Sequence, residues 1–216
     1  VKKTAFIYDD VLAIHSLSES HPLKPARLRY TFELLKEYGA FESPHTLLIP
    51  PRIATETKIL EFHSLAYLRA VKALSIGGHV TDPKLFNFGP GDNPTYGGMY
   101  EAALWSTGAS ILGAELLTSD KVDTVFSISG GLHHAMPSYA AGFCVFNDPV
   151  IAINELVQNG MRVAYIDIDC HHGDGVQYAF YDTNQVLTIS IHEAPEFIFP
   201  GTGFVQETGV GRGRGY

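Results

Sequence analysis

The chain holds 216 residues, 45% of them hydrophobic and 18% charged, a balance that excludes a disordered segment. A chain of this length buries roughly 70% of its unfolded surface, enough for a core without disulfides or structural metals. Fifteen Lys and Arg against 23 Asp and Glu leave a net charge of −8, which argues against a nucleic-acid partner gripped through its phosphates.

Only Cys144 and Cys170 are present, which is no disulfide framework and fits a reducing compartment. The longest apolar stretch, Ala102–Leu117, is broken by Ser106, Thr107, Gly108, Ser110, Gly113 and Glu115, so no membrane-spanning helix is expected. Lys2-Lys3 precede only Thr4–Tyr8 before Asp9-Asp10, too short a run for a secretory signal. Val1 in place of an initiator Met reads as a processed or trimmed form. The expectation is a soluble, cytoplasmic protein, with an oligomeric state left open.

In chain order, Thr4–Tyr8 reads as a strand, and Arg27–Tyr38 as a helix with Leu28, Phe32 and Leu35 on one stripe. Thr46–Ile49 is a short strand. Thr55 can cap a helix carrying Ile59, Leu60 and Phe62, and Ser64 can cap the next. A long helix is expected from Pro94 to Leu117, with Met99, Ala103, Ser106 and Ser110 as a ridge for close packing. Thr124–Ile128 is a β-branched strand. Asp148 reads as a helix N-cap followed by Pro149, with Val150, Ile153, Leu156 and Val157 buried and Gly160 as the stop. Val163–Ile168 and Val186–Ile191 are nearly unbroken apolar runs, as in strands covered on both faces. Strand–helix alternation predicts an α/β fold, a parallel sheet with helices on both sides, and chemistry at the carboxyl ends of its strands.

Polar residues gather there. Ser129-Gly130-Gly131-Leu132-His133-His134 follows the third strand, Asp167-Ile168-Asp169-Cys170-His171-His172-Gly173-Asp174-Gly175 ends the fourth, and Gly91-Asp92-Asn93-Pro94 precedes the long helix. Strand alternation sets Asp167, Asp169 and His171 on one face and Cys170 on the other. Asp169 and His171, about 6.6 Å apart at Cα, can converge on one ion, while Asp167, at about 13 Å from His171, orients a histidine or holds another cation. Cys170 is expected to point away. One such residue at a strand end is ordinarily a satisfied polar group; four histidines and three aspartates after neighbouring strands cost stability unless something uses them. Catalytic zinc usually takes three protein ligands, and the third is not identifiable.

Other motifs fail. His192-Glu193-Ala194-Pro195-Glu196 lacks the second histidine of a metalloprotease helix, and Pro195 would break it. Gly201-Thr202-Gly203 lacks the third glycine of a dinucleotide loop, and no Gly-x-Ser-x-Gly elbow is present.

On these residues the chain resembles the histone deacetylase superfamily, in particular the acetoin-utilisation deacetylases and class I histone deacetylases. The likeness runs from His21-Pro22-Leu23-Lys24-Pro25 through Gly130–His134 and Gly142-Phe143-Cys144-Val145-Phe146-Asn147-Asp148. It continues through Asp167–Gly175 to Phe199-Pro200-Gly201-Thr202-Gly203 and the glycine-rich end. The resemblance implies the arginase/deacetylase-like fold, a three-layer α/β/α domain with a mainly parallel sheet. Residues 1–216 would be the N-terminal portion of its single catalytic domain.

It also implies roles. Asp169 and His171 match two zinc ligands. His134 matches the general base that activates water and then protonates the leaving amine, and His133 the neighbour that assists electrostatically. Asp167 and Asp174 match the carboxylates that hold His133 and His134. Gly142, Phe143 and Phe199 match tunnel walls for an acetyl-lysine stem, and Asp92 a rim carboxylate that grips substrate backbone. Potassium would use Asp167, Asp169, His171, Ser190 and Ile191, and a second potassium Phe180, Thr183, Val186 and Tyr216. The family's third zinc ligand, an aspartate, and its oxyanion-stabilising tyrosine align beyond Tyr216. An incomplete catalytic domain, inactive in isolation, is therefore expected.

The function implied is a zinc-dependent amide hydrolase that removes acetyl groups from acetyl-lysine, with iron left open as the native metal. Alternatives are an acetylpolyamine or other small acetyl-amine deacetylase, a two-manganese enzyme of the arginase type, and a non-catalytic acetyl-lysine binder or scaffold.

Overall fold

The computed structural model describes residues 2–14 and 21–216. Five strands form two parallel sheets among these residues. The first has the order β2-β1-β3, from β1 (Thr4–Ile7), β2 (Thr46–Ile49) and β3 (Thr124–Ser127); the second pairs β4 (Val163–Asp167) with β5 (Val186–Ser190). In register, Phe6 sits between Leu48 and Phe126.

The first sheet is covered on both faces. Alternation turns Ala5 and Ile7 toward α4 (Met99–Thr118), where they pack with Ala109, Leu116 and Val125. Phe6 and Tyr8 face the other way and meet Leu28, Phe32 and Leu35 of α1 (Ala26–Glu37). The second sheet is covered on one face only: Val163, Tyr165 and Val186 pack on α5 (Asp148–Gln158) and α6 (Asp174–Phe180). On its other face Ile166 and Ile189 are 61% and 39% exposed, where the sequence predicts cover on both sides.

The middle of the molecule is a helical core. Tyr67, Leu68 and Val71 of α3 (Leu65–Ser75), Met99, Ala103 and Ile111 of α4, and Phe146 and Ile151 are buried together. The α4 helix is apolar on nearly every side, as a helix enclosed by neighbours must be. Gly108 lets it pass the Arg52–Ala54 backbone, where a Cβ would collide with the Arg52 carbonyl. The Ala54 N–H donates to the Leu104 carbonyl at 3.0 Å at this crossing.

Local signals set most helix starts. The Thr55 side chain accepts from the Lys58 N–H to open α2 (Glu56–Ile59), and Ser64 accepts from Tyr67 to open α3. Two starts differ from expectation. The α4 helix begins at Met99, not Pro94, because Gly98 takes a left-handed conformation at φ +82° and its N–H bonds the Ser75 carbonyl at 3.2 Å. The cap of α5 is Asn147, not Asp148: the Asn147 side chain accepts from Val150 N–H at 3.2 Å. Asp148 is the first helical residue, and its carboxylate is free for the loop after β3.

Candidate active site

The β3 strand ends at Ser127, and the chain reaches its paired histidines through a glycine turn that buried groups hold in place. Asp148 accepts from the N–H groups of Gly131 and Leu132 at 3.1 and 2.9 Å, and from the Ser110 hydroxyl at 2.5 Å. Burial pushes the Asp148 carboxyl up against these hydrogen bonds. The Asn147 amide donates to the carbonyls of His133 and Ala135, both at 3.0 Å. The backbone that carries His133 and His134 is thus pinned from both sides.

Each imidazole then meets its own carboxylate. His133 Nδ1 donates to Asp167 at 2.6 Å and His134 Nδ1 to Asp174 at 2.8 Å. A carboxylate only accepts, so each Nδ1 carries the proton and each Nε2 is left with a lone pair unless a second proton binds. Burial disfavours charge on His133, but the Asp167 hydrogen bond and the charges of Asp167, Asp169 and Asp174 outweigh it and raise the imidazole pKa. Burial likewise opposes the charge on Asp167, yet His133, the Tyr165 hydroxyl at 2.6 Å and the Asp169 N–H at 3.0 Å hold its carboxyl at about 2.

Beyond Asp167 the strand is over, and side chains no longer alternate. Asp169 Oδ1 accepts from the His171 N–H at 2.8 Å and lies 2.9 Å from His171 Nδ1. Cys170, expected to point away, turns to the same side, with Sγ 3.2 Å from His171 Nδ1. Ring centroids of His134 and His171 are 5.9 Å apart, and Phe199 stands edge-on to both, at 4.9 and 6.3 Å.

His133, His134, Asp167, Asp169, His171 and Phe199 line one cavity of about 510 Å³, together with Asp92, Gly142, Phe143 and Tyr165. Gly142, at φ +49°, admits no side chain: a Cβ would strike the His134 ring and press on Phe199. Phe143 is held at φ +71°, a left-handed conformation costly for a bulky residue. Its N–H donates to the Asn93 side chain at 3.1 Å and its ring meets His21 edge-on at 4.5 Å. Asp92 lies exposed at the rim.

Tyr165, Asn93, Asn147 and Asp148 are site residues that sequence reasoning missed as such. Period two from Asp167 along β4 would have found Tyr165. The others act across the fold, and nothing local signals them.

The remaining candidates do not line this cavity. The β4–β5 register sets Asp167 opposite Ser190, and the Ile191 N–H donates to the Asp167 carbonyl at 2.9 Å. Phe180 ends α6, and Thr183 N–H donates to its carbonyl at 3.3 Å. Val186 opens β5, and the segment ending in Tyr216 folds back on this turn through Val210 N–H and the Tyr181 carbonyl at 2.9 Å.

Residues 21–216 match the histone deacetylase domain. The chain belongs to the histone deacetylase family. It is 37% identical to the acetoin utilization protein AcuC of Bacillus subtilis, covering all of this chain and 56% of that protein. It is 38% identical to histone deacetylase 1 of Homo sapiens, of which it covers 44%. The crystal structure of an HDAC homolog from Aquifex aeolicus superposes with a TM-score of 0.90 at 34% identity, over all of this chain and 58% of that one. The structure of an HDAC homolog complexed with SAHA superposes equally, at 32% identity. The chain therefore spans about half the length of the curated relatives it matches. The fold is the deacetylase α/β fold, present in part.

The histone deacetylase resemblance implies a metal, and the donors fit one. Asp169, Cys170 and His171 each offer a ligand atom, all within 4.8 Å of one another. Oxygen, sulfur and imidazole nitrogen donors suit zinc.

Proposed function

We propose that the protein is a zinc-dependent deacetylase that hydrolyses the acetyl amide of acetyl-lysine, with His134 as general base and acid. The observation that supports this reading most is the pair of imidazole–carboxylate contacts, His133–Asp167 and His134–Asp174, whose two imidazoles share one cavity with Asp169 and His171. Zinc held by Asp169 and His171 would polarise the amide carbonyl and acidify water.

The chain's own residues do the rest. Asp174 fixes the His134 tautomer so that Nε2 takes a proton from the attacking water. The same nitrogen then returns a proton to the leaving amine as the C–N bond breaks, giving acetate and free lysine. His133, whose imidazole pKa the Asp167 contact raises, favours positive charge where the oxyanion develops. Gly142, Phe143 and Phe199 form a narrow apolar passage for a lysine stem, and Asp92 at its mouth accepts hydrogen bonds from substrate backbone. On the same reading Asp167, Ser190 and Ile191 would hold one potassium ion, and Phe180, Thr183, Val186 and Tyr216 a second. The domain is the N-terminal portion of a single catalytic unit, in the cytoplasm.

The test is acetate release from an acetyl-lysine peptide by a complete, zinc-loaded catalytic domain containing this chain, set beside acetylputrescine. Turnover of the peptide is expected. Turnover of acetylputrescine alone would assign the passage to small amines, and no turnover of either by a zinc-loaded, complete domain would overturn the reading.

A further inference from the structure

Phe199, a wall of the passage proposed for the lysine stem, sits on a strap that follows β5 and runs to Glu207. Much of the strap's apolar surface is bare: Phe197, Phe199, Phe204 and Val205 are exposed among the described residues. On the far side of Phe199 lies a second cavity of about 460 Å³, lined also by Met136, Tyr139, Tyr178 and Pro200. It leaves room for the ring to retreat from His134, so packing alone does not fix the wall.

Hydrogen bonds do, and they form one chain. Glu207 Oε1 accepts from the Gly203 and Phe204 N–H groups at 3.0 and 3.1 Å, and Oε2 from the Gln177 amide at 2.6 Å. Burial opposes charge on Glu207, but these bonds outweigh it and keep the carboxyl below its ordinary value. An ionised carboxylate only accepts, so Gln177 turns its nitrogen to Glu207 and its oxygen to His172 Nε2, at 3.1 Å. His172 then donates from Nε2, and its Nδ1 accepts from the Thr202 hydroxyl at 2.8 Å. Gln177 thus grips the strap twice, through Glu207 and through His172 and Thr202. It stands three residues after Asp174 on α6, so the two share a helix face. One holds the base His134, the other the strap of Phe199.

We infer that Gln177 is a positioning residue for substrate binding: through Glu207 and His172 it keeps Phe199 against the passage. The inference rests on the function proposed above and adds to it a residue that touches neither the base nor the metal donors. A loosened strap weakens the grip on the lysine stem in the ground state and the transition state alike, a loss that falls on KM rather than kcat.

Exchanging the two side chains tests this. Gln177→Glu alone sets two carboxylates against each other. In the double variant Gln177→Glu/Glu207→Gln, the carboxylate at position 177 accepts from His172 and from the amide at position 207. That amide's oxygen still accepts from Gly203 and Phe204, so every bond returns. The readouts are deuterium exchange and steady-state kinetics of a complete, zinc-loaded catalytic domain containing this chain. In Gln177→Glu the Gly203 and Phe204 amides should exchange about tenfold faster. KM for an acetyl-lysine peptide should rise about tenfold with kcat held within about twofold, and the double variant should recover both exchange and KM. Gln177→Ala, which removes both bonds without adding a charge, should give the same split and serves if Gln177→Glu does not fold. Unchanged KM, an equal loss in kcat, or no recovery in the double variant would overturn the role. Absence of turnover in the wild type would overturn the deacetylase reading alone. Exchange then still decides whether Gln177 holds the strap: recovery in the double variant supports it, and equal exchange in all variants overturns it.

Discussion

His134 and Asp174 are 40 residues apart in sequence and 2.8 Å apart in space, and both are largely buried. The contact joins the loop after β3 to the first residue of α6, and its direction matters more than its strength. Because Asp174 accepts the Nδ1–H hydrogen bond, the basic atom of the ring is Nε2.

Removing that base should separate chemistry from metal binding. His134→Ala is expected to lower turnover of an acetyl-lysine peptide by about 10²–10⁴, while zinc stays bound. Asp174→Asn should follow it in part, since an amide can present a donor to Nδ1 and favour the wrong tautomer. Unchanged turnover in His134→Ala would remove it from the general-base role.

His171 is the converse case. His171→Ala takes away one of the metal donors, and elemental analysis of the complete domain should show about one equivalent of zinc in the wild type and little in the variant. Full zinc content in His171→Ala would move the metal elsewhere.

Much of this was legible in the sequence because local chemistry decides it. The strand at Thr124 and the caps at Thr55 and Ser64 need only their neighbours, and the structure places them as expected. Asn147 and Asp148 are both good caps, so local reasoning could not choose; Ser110, Gly131 and Leu132, distant in sequence, claim the Asp148 carboxylate and leave Asn147 to cap. Cys170 was misplaced for another reason. Alternation holds only inside a strand, and the side-chain bonds of Asp167 and Asp169 end it. The runs at Ile166 and Ile189 do read as doubly covered strands, and their second face is bare among the described residues.

The Asp148 contacts predict a loss that spreads from stability to rate. Asp148→Ala leaves the Gly131 and Leu132 amides and the Ser110 hydroxyl without their acceptor, at a cost of about 2 kcal/mol. Urea unfolding measures this. The same variant should lower turnover, because the turn it loosens carries His133 and His134; a variant of wild-type stability would show that the carboxylate holds nothing.

The bare face makes a prediction about the chain on its own. Leu187, Ile166 and Ile189 are 36%, 61% and 39% exposed, and unpaired edges of parallel strands favour association. Residues 1–216 alone are expected to associate and to show no deacetylase turnover with zinc added. Supplying the remaining portion of a complete domain should suppress association and restore turnover; full turnover by 1–216 alone would overturn this.

The last prediction concerns pH, away from the metal. His63 is 2% exposed, and its two ring nitrogens are used by the backbone: Nδ1 donates to the Met136 carbonyl at 3.0 Å and Nε2 accepts from the Asn147 N–H at 3.0 Å. The bond from Asn147 requires the neutral ring, because a protonated Nε2 cannot accept, and burial, only partly offset by the Met136 and Pro137 backbone, pushes the imidazole down to about 4. The unfolded chain protonates this histidine near pH 6.5, so between that value and about 4 the unfolded state binds more protons and stability falls with pH. Above pH 6.5 the neutral ring contributes in full; by pH 5 about 2 kcal/mol should be gone, and below pH 4 the loss from this group levels off. Because Asn147 also holds the backbone of His133, the lost stability should come with loosening of the active-site turn. Urea midpoints at pH 7 and pH 5 for the wild type and His63→Gln test this. The variant should start less stable at pH 7 and lose about 2 kcal/mol less on going to pH 5; an equal fall in both would show that His63 does not set the slope.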